Sequence, residues 1–189
     1  MRKSCREIVM IDVVEGVAIG KALDIAQATS PEGSHTLISA SSDYKHIKES
    51  DIVVITAGSP RKPGMSRDDL LLINAKITKS IIEQVSQYAP EAIIITVSNP
   101  LDAITYVALK EGKYPRNRVI GMAGILDSSR METFISEKLG FGYGQITASV
   151  MGGHGDDMVP LPRYSSVNGV ALTDLLSALE IEKKKKKTR

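Results

Sequence analysis

Gly152-Gly153-His154-Gly155 is a glycine-rich corner with one histidine in it. Glycine neighbours leave room around an imidazole for a ligand. The ring titrates near neutrality, so His154 suits proton transfer to or from a hydroxyl. The plain alternative is a structural histidine. A carboxylate partner would fix its tautomer, and Asp127 is the candidate. Asp127 and Arg130 are three apart and share a helix face. They form either a local surface ion pair or two groups turned into a site where Arg130 holds a carboxylate. His35 and His46 lack such surroundings and receive no role.

A loop supplies a second set of groups: Thr56-Ala57-Gly58-Ser59-Pro60-Arg61-Lys62-Pro63-Gly64-Met65-Ser66-Arg67. Gly58 allows a ligand close to the backbone. Arg61 and Arg67 flank a Pro-Gly turn, and two guanidiniums on one loop suit a substrate with two anionic groups. Solvated surface arginines are the alternative. Asp12 ends the first apolar run; an acid there either forms a turn or accepts the ribose hydroxyls of a dinucleotide. Gly16-x-x-x-Gly20 sits within a short amphipathic helix, and Gly140-x-Gly142-x-Gly144 follows a helix and precedes a strand, so neither is a dinucleotide-binding turn. No residue is assigned to a metal.

These groups need a scaffold, and the apolar pattern predicts one. Strands are expected at Glu7–Ile11, His35–Ala40, Asp51–Thr56, Ala92–Val97, Arg118–Ile120 and Gln145–Val150, with another at Tyr164–Val167. Helices are expected at Gly16–Ala28, Arg67–Tyr88, Leu101–Leu109, Asp127–Leu139 and Leu172–Leu179. Such alternation implies a mostly parallel sheet covered by helices. Ligands of such sheets bind at the carboxyl ends of the strands, where Asp12, Ala57-Gly58 and Ser98-Asn99 fall.

The chain has 189 residues, 42% hydrophobic and 24% charged, as in soluble globular proteins. Its one cysteine, Cys5, forms no internal disulfide. No run approaches the ~20 apolar residues of a membrane span. No signal-like segment opens the chain, so a cytoplasmic setting is expected. The net charge of +2 belongs to the tail: Lys183 to Arg189 hold six of the 24 basic residues. The rest carries 18 basic and 22 acidic side chains. That balance argues against nucleic acid as a partner, which would require basic charge spread over a folded face. The lysine run is expected to be disordered, with docking to an anionic polymer or membrane as the alternative.

Taken together, these stretches resemble the malate-dehydrogenase, lactate-dehydrogenase-like branch of the lactate/malate dehydrogenase family. The resemblance rests on Ile11-Asp12, the loop Thr56–Arg67, Val97-Ser98-Asn99-Pro100-Leu101-Asp102, Gly121-Met122-Ala123-Gly124-Ile125-Leu126-Asp127-Ser128-Ser129-Arg130 and Met151-Gly152-Gly153-His154-Gly155-Asp156. It implies NAD as cofactor and a small dicarboxylate, malate or oxaloacetate, as substrate. It implies His154 as the general acid–base, paired with Asp127. Arg130 would bind the 1-carboxylate, Arg67 would polarise the carbonyl, and Asn99 would bond near substrate and nicotinamide. Arg61 would select the second carboxylate where lactate dehydrogenases carry Gln. Asp12, Ala57, Gly58, Ser98 and Asn99 would line the cofactor site, with Asp12 favouring NAD over NADP. The loop bearing Arg61 and Arg67 would act as a lid. A homo-oligomer is implied, with the helix at Gly16–Ala28 contributing.

The resemblance also implies a fold class: a Rossmann-like, mostly parallel sheet lacking its first strand and glycine-rich turn, then the start of an α+β substrate domain. The expected parts are 1–121, 122–182 and a basic tail at 183–189. Without the first strand, the strands at Glu7–Ile11 and Asp51–Thr56 either pair directly or leave open edges. The expected function is NAD-dependent malate dehydrogenase. The alternatives are a catalytically impaired fragment of that enzyme and a lactate (2-hydroxy acid) dehydrogenase.

Overall fold

The computed structural model describes residues 5–29, 31–155 and 157–181. The expected role of the 183–189 tail lies outside the described residues, as does that of the Arg67 side chain. Strand β1 (Glu7–Ile11) is followed by helix α1 (Glu15–Thr29) and strand β2 (Leu37–Ser41). β1 and β2 pair in parallel with Ile8 opposite Ile38. Strand β3 (Ile52–Ile55), helix α2 (Arg67–Tyr88), strand β4 (Ile93–Thr96), helix α3 (Leu101–Gly112) and strand β5 (Val119–Gly121) come next. β3, β4 and β5 form a parallel sheet in that order, with Val54 opposite Ile95 and Ile95 opposite Ile120. Parallel neighbours need a crossover, and α2 and α3 supply it.

The alternation expected from sequence is therefore present. Of the two outcomes left open for the strands at Glu7–Ile11 and Asp51–Thr56, the structure shows the second. Among the described residues β1 pairs with β2 alone and β3 with β4 alone, so each has an unpaired edge. Both strands still face one core. Ile55, Ile82, Val85, Ile94 and Val119 form its centre, and Val9 and Ile11 of β1 pack against it.

Helix α2 begins where it does because Ser66 caps it. The Ser66 Oγ accepts the Asp69 N–H at 3.0 Å, and the Ser66 N–H donates to Asp69 Oδ2 at 3.0 Å. This reciprocal pair satisfies two amides that the helix cannot, and the two acids of the first turn suit its dipole. The Asp69 carboxyl lies below its ordinary pKa because Ser66 donates to it through both hydroxyl and backbone.

A second, smaller core follows. Helix α4 (Gly124–Leu139) packs on short strands β6 (Ile146–Thr147) and β7 (Val150–Gly152); β8 (Met158–Pro160) pairs with β7, β9 (Ser166–Val167) pairs with β6 and with β10 (Val170–Ala171), and one turn of helix, α5 (Leu172–Leu175), follows. Met131, Ile135, Val150, Met158 and Leu172 fill its centre. Three expectations are corrected here. The single strand expected at Gln145–Val150 is two, β6 and β7. It breaks because the Ala148 N–H donates to Glu132 Oε1 and the Ser149 N–H to Ser165 Oγ, not to a neighbouring strand. The strand expected at Tyr164–Val167 keeps only Ser166–Val167, because Pro162–Tyr164 form a 3-10 turn. The helix expected at Leu172–Leu179 stops at Leu175. Ser177 then starts a new turn, its N–H and Oγ both bonded to Glu180 Oε2.

Candidate functional site

His154 and Asp127 meet. The imidazole Nδ1 is 3.0 Å from Asp127 Oδ2, and Arg130 donates from Nη1 to the other oxygen, Oδ1, at 3.1 Å. Asp127 is only 2% exposed. A carboxylate that deep requires partners, and it has one on each oxygen. An ionised carboxylate accepts only, so the Nδ1 carries the proton and Nε2 is left as the free acceptor. The Arg130 side chain remains 47% exposed, so its other guanidinium nitrogens remain open to a ligand. The surface ion pair considered from sequence is thus a half-buried one, shared with the histidine.

The residues around this relay explain its geometry. Asp127 lies in the first turn of α4, and its N–H bonds the Ala123 carbonyl. The Val150 N–H donates to Ser128 Oγ at 3.1 Å and the Ala148 N–H to Glu132 Oε1 at 3.2 Å. These bonds from α4 lay the chain of β7 along the helix and bring the following corner over Asp127. The turn itself needs glycine. Gly152 has φ +92°, and a Cβ there would lie 2.4 Å from the Asp157 carbonyl oxygen.

A second group sits at the carboxyl ends of β3 and β4. Gly58, Ser59, Arg61, Asn74, Ser98 and Asn99 help line a cleft of about 450 Å³. The Ser98 Oγ donates to the Ala57 carbonyl at 2.6 Å, tying the two strand ends together. Arg61 is exposed, and its Nε donates to the Met65 carbonyl at 3.2 Å across the loop. The cleft therefore gathers Gly58, Arg61, Ser98 and Asn99, while His154, Asp127 and Arg130 form a neighbouring group outside its lining. Asp12 is in neither. It follows β1 on the other sheet, exposed, with Oδ1 accepting the Val14 N–H at 2.9 Å. The turn-forming reading of Asp12 is realised.

Two polar residues of this region escaped the sequence reading. Asn74, on α2, is 2% exposed. Its Oδ1 accepts the Ser59 N–H at 2.7 Å, and its Nδ2 donates to the carbonyls of Asn99 at 2.7 Å and Ser59 at 3.3 Å. It pins the base of the arginine loop to the Asn99 strand end. Asp102, in the first turn of α3, accepts the backbone N–H of His154 at 3.0 Å. Asn74 left one trace in the sequence: it falls on the helical spacing of the apolar face and is polar. Asp102 stands in the stretch Val97–Asp102 that carries the resemblance, but it received no role, because an acid in a first turn is ordinary.

The fold and these groups define a class: a Rossmann-like α/β protein with a polar cleft at the strand ends and a histidine–carboxylate pair. Comparison with known proteins agrees. Residues 1–121 match the lactate/malate dehydrogenase NAD binding domain, and residues 125–188 match the lactate/malate dehydrogenase alpha/beta C-terminal domain. The chain belongs to the lactate/malate dehydrogenase family. It is 64% identical over 181 residues to the malate dehydrogenase of Sulfurimonas denitrificans, covering 96% of this chain and 57% of that protein. The apo malate dehydrogenase of Picrophilus torridus superposes with a TM-score of 0.92 at 44% identity, covering 97% of this chain and 58% of that one. The lactate dehydrogenase of Cryptosporidium parvum, solved with lactic acid and nicotinamide adenine dinucleotide, superposes at 0.89 with 40% identity, covering 97% and 59%. The chain thus spans somewhat over half the length of these relatives.

Proposed function

We propose that this chain carries the chemistry of an NAD-dependent malate dehydrogenase, reversible between malate and oxaloacetate. The observation that carries the reading is the buried Asp127, with His154 on one oxygen and Arg130 on the other. A relay alone suits many reactions. A strand-end cleft lined by an exposed arginine suits an anionic substrate, and the family resemblance narrows it to a 2-hydroxy acid. The family matches and the 64% identity to a malate dehydrogenase support this choice.

The residues present fit the cofactor in part. Gly58 offers an open backbone beside the cleft, Ser98 and Asn99 offer polar groups there, and Asp12 keeps a carboxylate oxygen for ribose hydroxyls. When bound, NAD supplies the hydride acceptor. The chain does the rest. Arg130 binds the 1-carboxylate, and Arg61 the second carboxylate. Asn99 holds the substrate oxygen. Arg67, at the start of α2, polarises the carbonyl in the reducing direction. As the alcohol is oxidised, its hydroxyl proton passes to His154 Nε2, and Asp127 stabilises the imidazolium that forms. Closure of the loop 57–66 excludes water. Residues 1–121 form the cofactor part and 122–182 the substrate part. The setting is cytoplasmic, with no nucleic acid and no membrane as partner. A homo-oligomer is favoured by α1, where Val17, Ile19 and Leu23 are each about half exposed.

The test is NADH oxidation by the purified 189-residue chain with oxaloacetate, with pyruvate and His154→Asn as controls. Turnover on oxaloacetate, lost in the variant, supports the proposal. Preference for pyruvate points instead to lactate dehydrogenase chemistry. Absence of turnover in a folded sample points to a catalytically impaired member.

A further inference from the structure

The relay and the cleft come from different cores, yet they must face one substrate. Asp102 is a side chain that joins them. It lies in the first turn of α3, three residues beyond Asn99 in a segment anchored by the buried Leu101. From there its Oδ2 accepts the His154 N–H at 3.0 Å, a charge-assisted bond between residues 52 apart in sequence. The approach is close on both sides. A Cβ on Gly153 would stand 3.1 Å from the same Asp102 oxygen and 3.4 Å from the Asp157 Cβ. The corner thus closes on a carboxylate, and glycine at 153 is what lets it.

We propose that Asp102 is a positioning residue that fixes His154 relative to Asn99, so that proton transfer and substrate binding share one geometry. As a statement about the reaction it rests on the dehydrogenase reading above; as a statement about the backbone it does not. Asp102 acts on the relay only through the backbone: Asp127 holds the His154 ring, and loss of the Asp102 bond loosens that contact by letting the ring shift. Asp102 thus bears on where the ring stands. Small misplacement of a catalytic group costs rate steeply, so loss of the tie lowers kcat more than it raises KM.

The experiment uses the full chain, labelled with ¹⁵N, as wild type, Asp102→Ala and Asp102→Asn. Three signals are read: amide exchange at His154, the His154 ring ¹⁵N shifts, and kcat and KM with oxaloacetate and NADH. In Asp102→Ala, exchange at His154 accelerates by about ten-fold or more while Ile94 and Met131 stay protected. The ring signals of that variant move toward an averaged tautomer, and kcat falls by about ten-fold or more at nearly constant KM. Asp102→Asn keeps an acceptor and falls between. Unchanged exchange in Asp102→Ala overturns the proposal. So does faster exchange with unmoved ring signals, which would make Asp102 a local cap. If the alanine variant does not fold, the asparagine variant decides by the same signals. If the wild type shows no turnover, the dehydrogenase reading fails, and exchange and ring shifts alone decide the role of Asp102.

Discussion

Replacing Asp127 by Asn tests the relay at the level of single protons. The carboxylate has two partners, and each uses one oxygen. An amide has one oxygen and one NH2. Arg130 only donates, so the amide oxygen turns to it, and the NH2 turns to His154 Nδ1. The proton of the ring then moves to Nε2, the nitrogen that has to accept from the substrate. Two losses follow. A hydrogen bond to a charged group becomes a neutral one, about 1–2 kcal/mol weaker. The base form is also removed, and general-base catalysis contributes about 10²–10⁴-fold. The expected fall in kcat is thus about 10²–10⁴-fold, or roughly 3–5 kcal/mol of barrier, with KM for the dicarboxylate altered only a few-fold because Arg130 keeps its place. Steady-state NADH oxidation measures the rate, and ring ¹⁵N shifts measure the tautomer without turnover. An Asp127→Asn chain that keeps the proton at Nδ1, or a tenth of the wild-type rate, refutes the reasoning.

Arg61→Gln should lower the ratio of kcat/KM for oxaloacetate over pyruvate by about 10- to 100-fold, the worth of a charge-assisted bond to the second carboxylate; an unchanged ratio removes Arg61 from substrate selection. Thr78→Val should stabilise the chain. Thr78 is fully buried on α2, and among the described residues its Oγ is the buried side-chain atom with no hydrogen-bond partner. Removing that hydroxyl is expected to add about 1–2 kcal/mol, or roughly 2–8 °C in Tm, read by thermal melting. Glu180 is held down to about 2 by the Lys138 ammonium at 2.8 Å and by Ser177. A depressed carboxyl stabilises the fold above the unfolded value of 4.5 and loses that contribution as pH falls toward 2. Melting of Glu180→Gln across that window should therefore be less acid-sensitive than wild type, and equal slopes would assign the acid response to other groups.

How far the sequence was legible depended on period and length. Helix α2 runs from Arg67 to Tyr88, as the spacing predicts, because 22 residues carry a clear apolar period and Ser66 caps its start. The parallel strands were legible from runs such as Ile93–Ile95, and their ends located the cleft. The His154–Asp127 pairing was legible as chemistry, because an imidazole needs a partner and Asp127 was available, and as what the resemblance implies. What was not legible is tertiary. The deepest line of α2 is Asn74, Thr78, Ile82 and Val85, whereas Ile73 is 37% exposed and Leu72 62%. A period marks a helix face, but it does not say which polar residues on that face go inward with it. The split of β6 from β7 was hidden for the same reason. Ala148 gives its amide to a glutamate 16 residues earlier, a contact with no local trace.

The arrangement makes two kinds of failure separable. Ser128 and Glu132 set the relay from within α4, holding the strand that leads to the histidine. Asn74 sets the cleft, holding Ser59 against Asn99. Among the described residues no hydrogen bond joins the two sets. Their relative position is carried by the Met122 N–H bonded to the Thr96 carbonyl at 2.9 Å and by Asp102 bonded to His154. On the proposed reading, loosening α4 is expected to degrade proton transfer, and loosening Asn74 to degrade binding and specificity. Loosening the join leaves both halves intact and misaligned, which appears as loss of rate with little loss of affinity. That pattern follows from the placement of a few amides and carboxylates, since the two apolar cores pack separately and neither alone fixes the distance that the chemistry requires.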